Sequence, residues 1–144
     1  MLALRARIIA VGKVKKRWIL EGIREYGKRL PELEIVEVKD STPEREAAKI
    51  LEAMRPHETL VVMSERGKAM SSEEFARFME RSHAESLVFA IGGPEGTHTS
   101  LSDRSRYQLS LSAMTFTHEM ARLFLVEQLY RAKSILQNTG YHRS

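Results

Sequence analysis

Three stretches of this 144-residue chain bring groups able to recognise or transfer chemistry close together. Gly92-Gly93-Pro94-Glu95-Gly96 places three of the eight glycines within five residues. Glycine there permits positive φ and close approach, so main-chain N–H and C=O groups can grip a flat or charged ligand. The pentapeptide reads equally well as a tight turn that needs glycine for geometry alone. Leu109-Ser110-Leu111-Ser112-Ala113-Met114-Thr115-Phe116-Thr117-His118 combines small, apolar and hydroxyl-bearing residues. Such a segment suits an adenine ring, which needs stacking surface and hydrogen bonds, although it also reads as a strand-to-helix junction capped by Thr117. The terminal Tyr141-His142-Arg143 can stack on a base, move a proton and pair with phosphate, provided that the tail docks.

Other chemistries are excluded by what the chain lacks. It has no Cys, which removes disulfides and every thiolate mechanism or thiolate metal site. Only Gly12 follows the first apolar run, so the dinucleotide fingerprint is missing, as are a Walker sequence, a His-x-x-x-His pair and a serine nucleophile elbow. With 42% hydrophobic and 29% charged residues the composition is that of a soluble folded unit, and the length fits a single domain over residues 1–144. No secretory signal and no apolar run of roughly 20 residues is present, so the expected compartment is the cytoplasm, without membrane attachment.

The net charge of +4 conceals a pattern. Residues 1–30 hold nine Lys and Arg against two Glu, residues 31–100 hold eight against fourteen acids, and residues 101–144 hold six against three. Basic ends flank an acidic middle, which lets a polyanion such as nucleic acid be met by both ends if they converge.

The elements that must position these residues alternate along the chain. Leu4–Val11 reads as a strand ending at Gly12 and the basic loop Lys13–Arg17, and Trp18, Ile19, Ile23, Tyr26 and Leu30 recur at helical spacing up to Pro31. Leu33–Val38 alternates as a half-exposed strand, and Ser41-Thr42-Pro43-Glu44 starts a helix with apolar positions Ala47, Ile50, Leu51 and Met54. Thr59–Met63 is a third strand leading into a polar loop, Ser64–Lys68. Ser71 and Glu74 form a capping box before a helix with Phe75, Phe78 and Met79 on its core face. Ser86–Ile91 is a buried strand, Leu101–Ser105 a short helix, Tyr107–Ala113 a fifth strand and His118–Gln137 a final helix of about 30 Å. Its apolar positions include Met120, Leu123, Phe124, Leu129, Tyr130 and Ile135. Strands alternating with helices predict an α/β domain with a mainly parallel sheet covered on both faces. Ligands in such sheets sit beyond the strands' carboxyl ends, which selects the loops after Val11, Met63, Ile91 and Ala113.

Taken in order, "AVGKVK", "EYGKRL", "ERGK", "IGGPEG", "LSLSAMTFTH", "ARLFLVEQLYRA" and the terminal "YHR" span nearly the whole chain, and the set resembles the RlmH family of SPOUT-class methyltransferases. That resemblance implies N3-methylation of a pseudouridine in 23S ribosomal RNA of the large subunit, with S-adenosylmethionine as donor and no metal. It implies a deep trefoil knot in the C-terminal half, although periodicity alone predicts an unknotted sheet, and a homodimer in which each donor site lies near the partner's tail. Carried over by position, the donor is held by Met63, by Gly92, Gly93, Pro94, Glu95 and Gly96, and by Leu111, Ser112, Ala113, Met114, Thr115 and Phe116. Relatives usually have Pro where this chain has Thr117, and many have Pro where it has Gly140.

Methyl transfer from a sulfonium is an in-line displacement, so alignment and exclusion of water dominate. The attacking imide nitrogen must lose a proton to a base or have its anion stabilised by a cation, for which the candidates are His142, His118, Arg122 and Arg143. His142 and Arg143 of one protomer are expected to face the donor held by the other, with Tyr141 packing the base. His118 reads equally as a polar first-turn residue. Arg122 is expected to pair with Glu119 or Glu95 if it does not act on substrate, and Glu127 to be a buried partner of Arg131 or a dimer contact. In an RNA enzyme Lys13–Arg17, Arg24, Lys28 and Arg29 supply phosphate contacts. Two other readings are an RNA-binding module of the same fold without catalysis, and an α/β protein for another nucleotide such as ATP or NAD.

Overall fold

The computed structural model describes residues 5–143. Its elements run β1 (Ala6–Val11), α1 (Arg17–Gly27), β2 (Glu34–Val38), α2 (Pro43–Ala53), β3 (Glu58–Ala69), α3 (Ser72–Arg81), β4 (Ser86–Ile91), α4 (Thr99–Arg104), β5 (Tyr107–Ser110) and α5 (His118–Gln137). The five strands form one sheet in the order β2-β1-β4-β3-β5, and every pairing is parallel. The expected α/β architecture is therefore present.

Period-two alternation divides the central strands between two cores. Ile8, Ala10, Leu87 and Phe89 pack with Ile19, Ile23, Phe75, Phe78, Leu125 and Leu129 from α1, α3 and α5. Ile9, Val11, Val88 and Ala90 pack on the other face with Ala47 and Ile50 of α2 and Leu101 of α4. The central strands β1 and β4 are buried on both sides because each side carries helices. Thr42 accepts from the Arg45 N–H at the start of α2, and the Ser71/Glu74 capping box opens α3.

Four expectations need correction. Trp18 is 58% exposed, and α1 ends at Gly27, leaving Leu30 buried in the turn that follows. The stretch Ser64–Lys68 is not simply a loop. β3 continues through it, and Met63 and Lys68 both pair with Leu109, so the residues between them form a large bulge. The fifth strand stops at Ser110 rather than Ala113, because the Ser110 hydroxyl donates to the Ser112 carbonyl and accepts from the Ser112 N–H, turning the backbone out of the ladder. In α5 the deepest residues are Leu125, Val126, Leu129 and Ala132; of the expected positions only Leu129 is fully buried, since apolar and polar residues are mixed around the helix and its pattern selects no single face.

At the N-terminal edge of the sheet Arg7 donates through Nε and Nη2 to both Glu58 carboxylate oxygens at 2.7 Å. Burial pushes the Glu58 carboxyl up, but the bonds from Arg7 and the Arg55 N–H outweigh it and hold the group below its usual 4.5. A depressed carboxylate contributes stability above its unfolded pKa that is lost as pH falls through its folded value. Glu58→Gln should therefore lower stability at pH 7 by about 2 kcal/mol, with the gap to wild type closing as denaturant midpoints are followed down toward pH 3. A second test concerns the bulge. A Cβ on Gly67 would lie 2.6 Å from the Leu109 nitrogen, so Gly67→Ala should shift the unfolding midpoint by the equivalent of about 1–3 kcal/mol; an unchanged midpoint would show that the bulge is not clamped there.

Candidate active site

All four loops selected from the sequence meet at the carboxyl ends of the strands. They enclose a cavity of about 760 Å³ whose wall includes Lys16 after β1, Met63, Ser64 and Glu65 of β3, Ile91 to Thr97 after β4, Leu111, Ser112 and Thr115 to Thr117 after β5, and His118, Glu119 and Ala121 of α5. A smaller cavity of about 280 Å³ adjoins it, with Met63, Leu111 and Phe116 common to both. Met70, Phe75, Phe124 and Leu125 line the smaller one together with Leu109 and the polar Ser72, Ser110 and Gln128.

The glycine turn is both a tight turn and a close approach. Gly96 has φ +81° and its N–H donates to the Gly93 carbonyl at 3.0 Å. A Cβ on Gly92 would lie 2.8 Å from the Gly96 carbonyl oxygen and from Thr97 Cγ2, so no larger residue fits without moving the turn. Thr117 caps α5 by accepting from the Met120 N–H. Its φ of −62° is the angle a proline would impose, so threonine keeps that backbone and adds a cap.

Of the donor-site residues carried over from the resemblance, Met63, Gly92, Gly93, Pro94, Glu95, Gly96, Leu111, Ser112, Thr115 and Phe116 lie on the cavity wall, whereas Ala113 and Met114 do not. Met114 is 76% exposed because the serine turns carry the loop outward, its N–H bonded to the Ser112 hydroxyl. His118 is on the wall. Arg122 is not available to a substrate: it is buried, donating to Glu37 and, at 3.0 Å, to the Gly12 carbonyl. Neither Glu119 nor Glu95 is its partner. Glu119 accepts instead from the Lys15 and Lys16 N–H groups at 3.0 and 3.1 Å. Lys16 and Glu65 are wall residues that sequence reading did not single out, although the basic loop and "ERGK" contain them.

The tail is docked, but not at the cavity of its own chain. Tyr141 packs edge-on against Tyr130 with centroids 4.7 Å apart, and Arg131 lies 4.8 Å over its ring. Its hydroxyl donates to Glu127 at 2.8 Å and lies 3.2 Å from the Tyr26 hydroxyl. Burial first, then these two bonds, push the Tyr141 phenol well above its ordinary pKa of 10, so it remains a donor. Glu127 pairs with Arg131 as expected, and Glu127 raises the Arg131 pKa. His142 Nδ1 stands 3.0 Å from Arg131 Nη1, which can only donate. The ring proton then sits on Nε2, 3.1 Å from Glu73 but not aligned for a hydrogen bond. Arg143 is exposed. Arg131, expected only as a partner of Glu127, is thus also the residue on which Tyr141 and His142 converge.

Comparison with known proteins places this parallel α/β sheet and its strand-end cavity in the SPOUT class of methyltransferases. The profile of the family described as "Predicted SPOUT methyltransferase" matches residues 4–142. The chain is 51% identical over 140 residues to the ribosomal RNA large subunit methyltransferase H of Parasynechococcus marenigrum (strain WH8102), covering 97% of each. It is 53% identical over 137 residues to the protein of that name from Prochlorococcus marinus (strain MIT 9303), covering 95% of this chain and 91% of the other. The fold is similar to that of the SpoU methyltransferase AviRb from Streptomyces viridochromogenes, with a TM-score of 0.50 and 12% identity over 92% of this chain and 60% of that one. The chain belongs to the RlmH family of SPOUT methyltransferases.

Tyr141→Phe removes the donor to Glu127. It should lower stability by about 1 kcal/mol and speed amide exchange over residues 138–142. Exchange as slow as in wild type would mean that the ring alone holds the tail.

Proposed function

We propose that the protein is a single-domain S-adenosylmethionine-dependent methyltransferase that modifies N3 of a pseudouridine in 23S ribosomal RNA of the large subunit. The observation that carries this reading is the convergence of the four strand-end loops on one cavity in a chain of this family. The relatives' names support the ribosomal substrate. The residues fit the donor. The close turn at Gly92 leaves backbone room that a side chain would fill, Leu111, Ser112 and Thr115 offer backbone and hydroxyl groups, and the adjoining smaller cavity offers Phe75 and Phe116 to a flat ring. When bound, the donor supplies a methyl group on positively charged sulfur.

The chain's own task is then alignment, exclusion of water and removal of the imide proton. His118 stands at the cavity mouth. Tyr141 and His142 are held away from the cavity by Glu127, Arg131 and Glu73, and Arg143 projects outward. A catalytic role for the tail therefore requires a second copy, and we read the active form as a homodimer in which each tail completes the partner's cavity. His142 serves as base once docking releases its Nδ1 from Arg131, and Arg143 pairs with phosphate. The deep trefoil knot and a cytoplasmic location belong to the same reading. Among the described residues, no helix is long and apolar enough to cross a membrane, and no group of three or more His, Asp or Glu is arranged to hold a metal.

Two experiments test this reading. Labelled donor incubated with ribosomes, large subunits and naked RNA should place methyl label on a pseudouridine of 23S RNA; label on another nucleoside would overturn the substrate. Gly92→Val and His142→Ala should each be inactive, whereas their co-expressed mixture should recover about a quarter of wild-type activity, because half the dimers carry one intact composite site. No recovery would overturn the shared site.

A further inference from the structure

The cavity differs in charge from the protein around it. The chain carries 23 Lys and Arg against 19 Asp and Glu, yet three carboxylates, Glu65, Glu95 and Glu119, line the cavity beside a single ammonium, Lys16. These carboxylates are not equivalent. Glu119 is buried and already holds two backbone N–H groups. Glu65 projects from the β3 bulge, is exposed, and accepts a hydrogen bond from the Thr115 hydroxyl of the loop after β5. A hydroxyl fixes the direction of a carboxylate without neutralising it. Arg66 and Lys68 share the bulge but are not on the wall.

The chemistry of the proposed reaction gives such a charge a use. As the methyl group leaves, the carbon–sulfur bonding pair stays on sulfur, which becomes a neutral thioether. The ring nitrogen forms the new carbon–nitrogen bond with its own electron pair, and its proton passes to a base. Donor and product thus differ only by the methyl group and one positive charge. Contacts to adenine, ribose and the amino-acid moiety are common to both and cannot tell them apart. Resting on the donor reading above, we propose that Glu65, oriented by Thr115, is a specificity-determining residue that makes the cavity favour the sulfonium donor over its thioether product. Its consequence is release of product in exchange for fresh donor.

The test is calorimetric titration of S-adenosylmethionine and S-adenosylhomocysteine into the full-length protein and two variants. Glu65→Gln keeps an acceptor for Thr115 and removes the charge. It should weaken donor binding by roughly two- to fivefold, the scale of one solvent-exposed charge contact, leave product binding unchanged, and lose this difference in high salt. Thr115→Val removes the hydroxyl and keeps the charge, so its ratio of donor to product affinity should move less than that of Glu65→Gln. An unchanged ratio in Glu65→Gln, with both ligands weakened alike or neither affected, would overturn the assignment and make Glu65 a loop fastener only. Failure of both ligands to bind wild-type protein would instead overturn the donor reading itself.

Discussion

The first turns of α5 join the two ends of the chain. Glu119 takes the backbone N–H groups of Lys15 and Lys16, while Arg122, three residues further along the same buried stripe of the helix, reaches the Gly12 carbonyl and the Glu37 carboxylate. An acid and a base buried on one helix each need partners, because an unpaired charge away from water is strongly unfavourable. Both find them in the loop after β1 and the adjacent strand, roughly a hundred residues away in sequence. The position of that loop, and with it one wall of the cavity, depends on this pair.

From the same junction the rest of the site is arranged. Thr117 begins α5 at the cavity edge, so His118 and Glu119 enter the wall as the helix starts. The serine turns at Ser110 and Ser112 take the chain out of the β5 ladder, and the bulge in β3 brings Glu65 to Thr115 of the loop that follows. The far end of the helix has a different role: Glu127 and Arg131 hold Tyr141 and His142. One helix thus serves the strand-end cavity at its start and the tail at its end, about 20 Å apart for residues separated by some three or four turns.

What the sequence could disclose follows the range of the forces involved. Strand alternation, helix caps and the glycine turn are local, so the α/β architecture, the capping box at Ser71 and the four strand-end loops are legible from residue order. Contacts between distant residues are not. Nothing local announces that Arg122 meets Glu37, or that Gly67 must lack a side chain because the Leu109 backbone passes 2.6 Å from where its Cβ would be. The buried face of α5 was hidden for another reason: apolar and polar residues are mixed around the helix, and only its neighbours decide that Leu125, Val126 and Ala132 turn inward. The end of β5 was misplaced because serine hydroxyls compete with the ladder for backbone groups.

The route of the tail out of α5 starts from its backbone. Asn138 caps the helix at φ +54° and Gly140 follows at φ +84°, an angle closed to proline. Two left-handed residues within three reverse the chain and send Tyr141 back onto the helix it has just left. A segment folded back in this way has already surrendered most of its conformational entropy before any partner arrives. The end of the chain is therefore a preformed surface, and whatever meets it does so without the ordering penalty that a free terminus would impose.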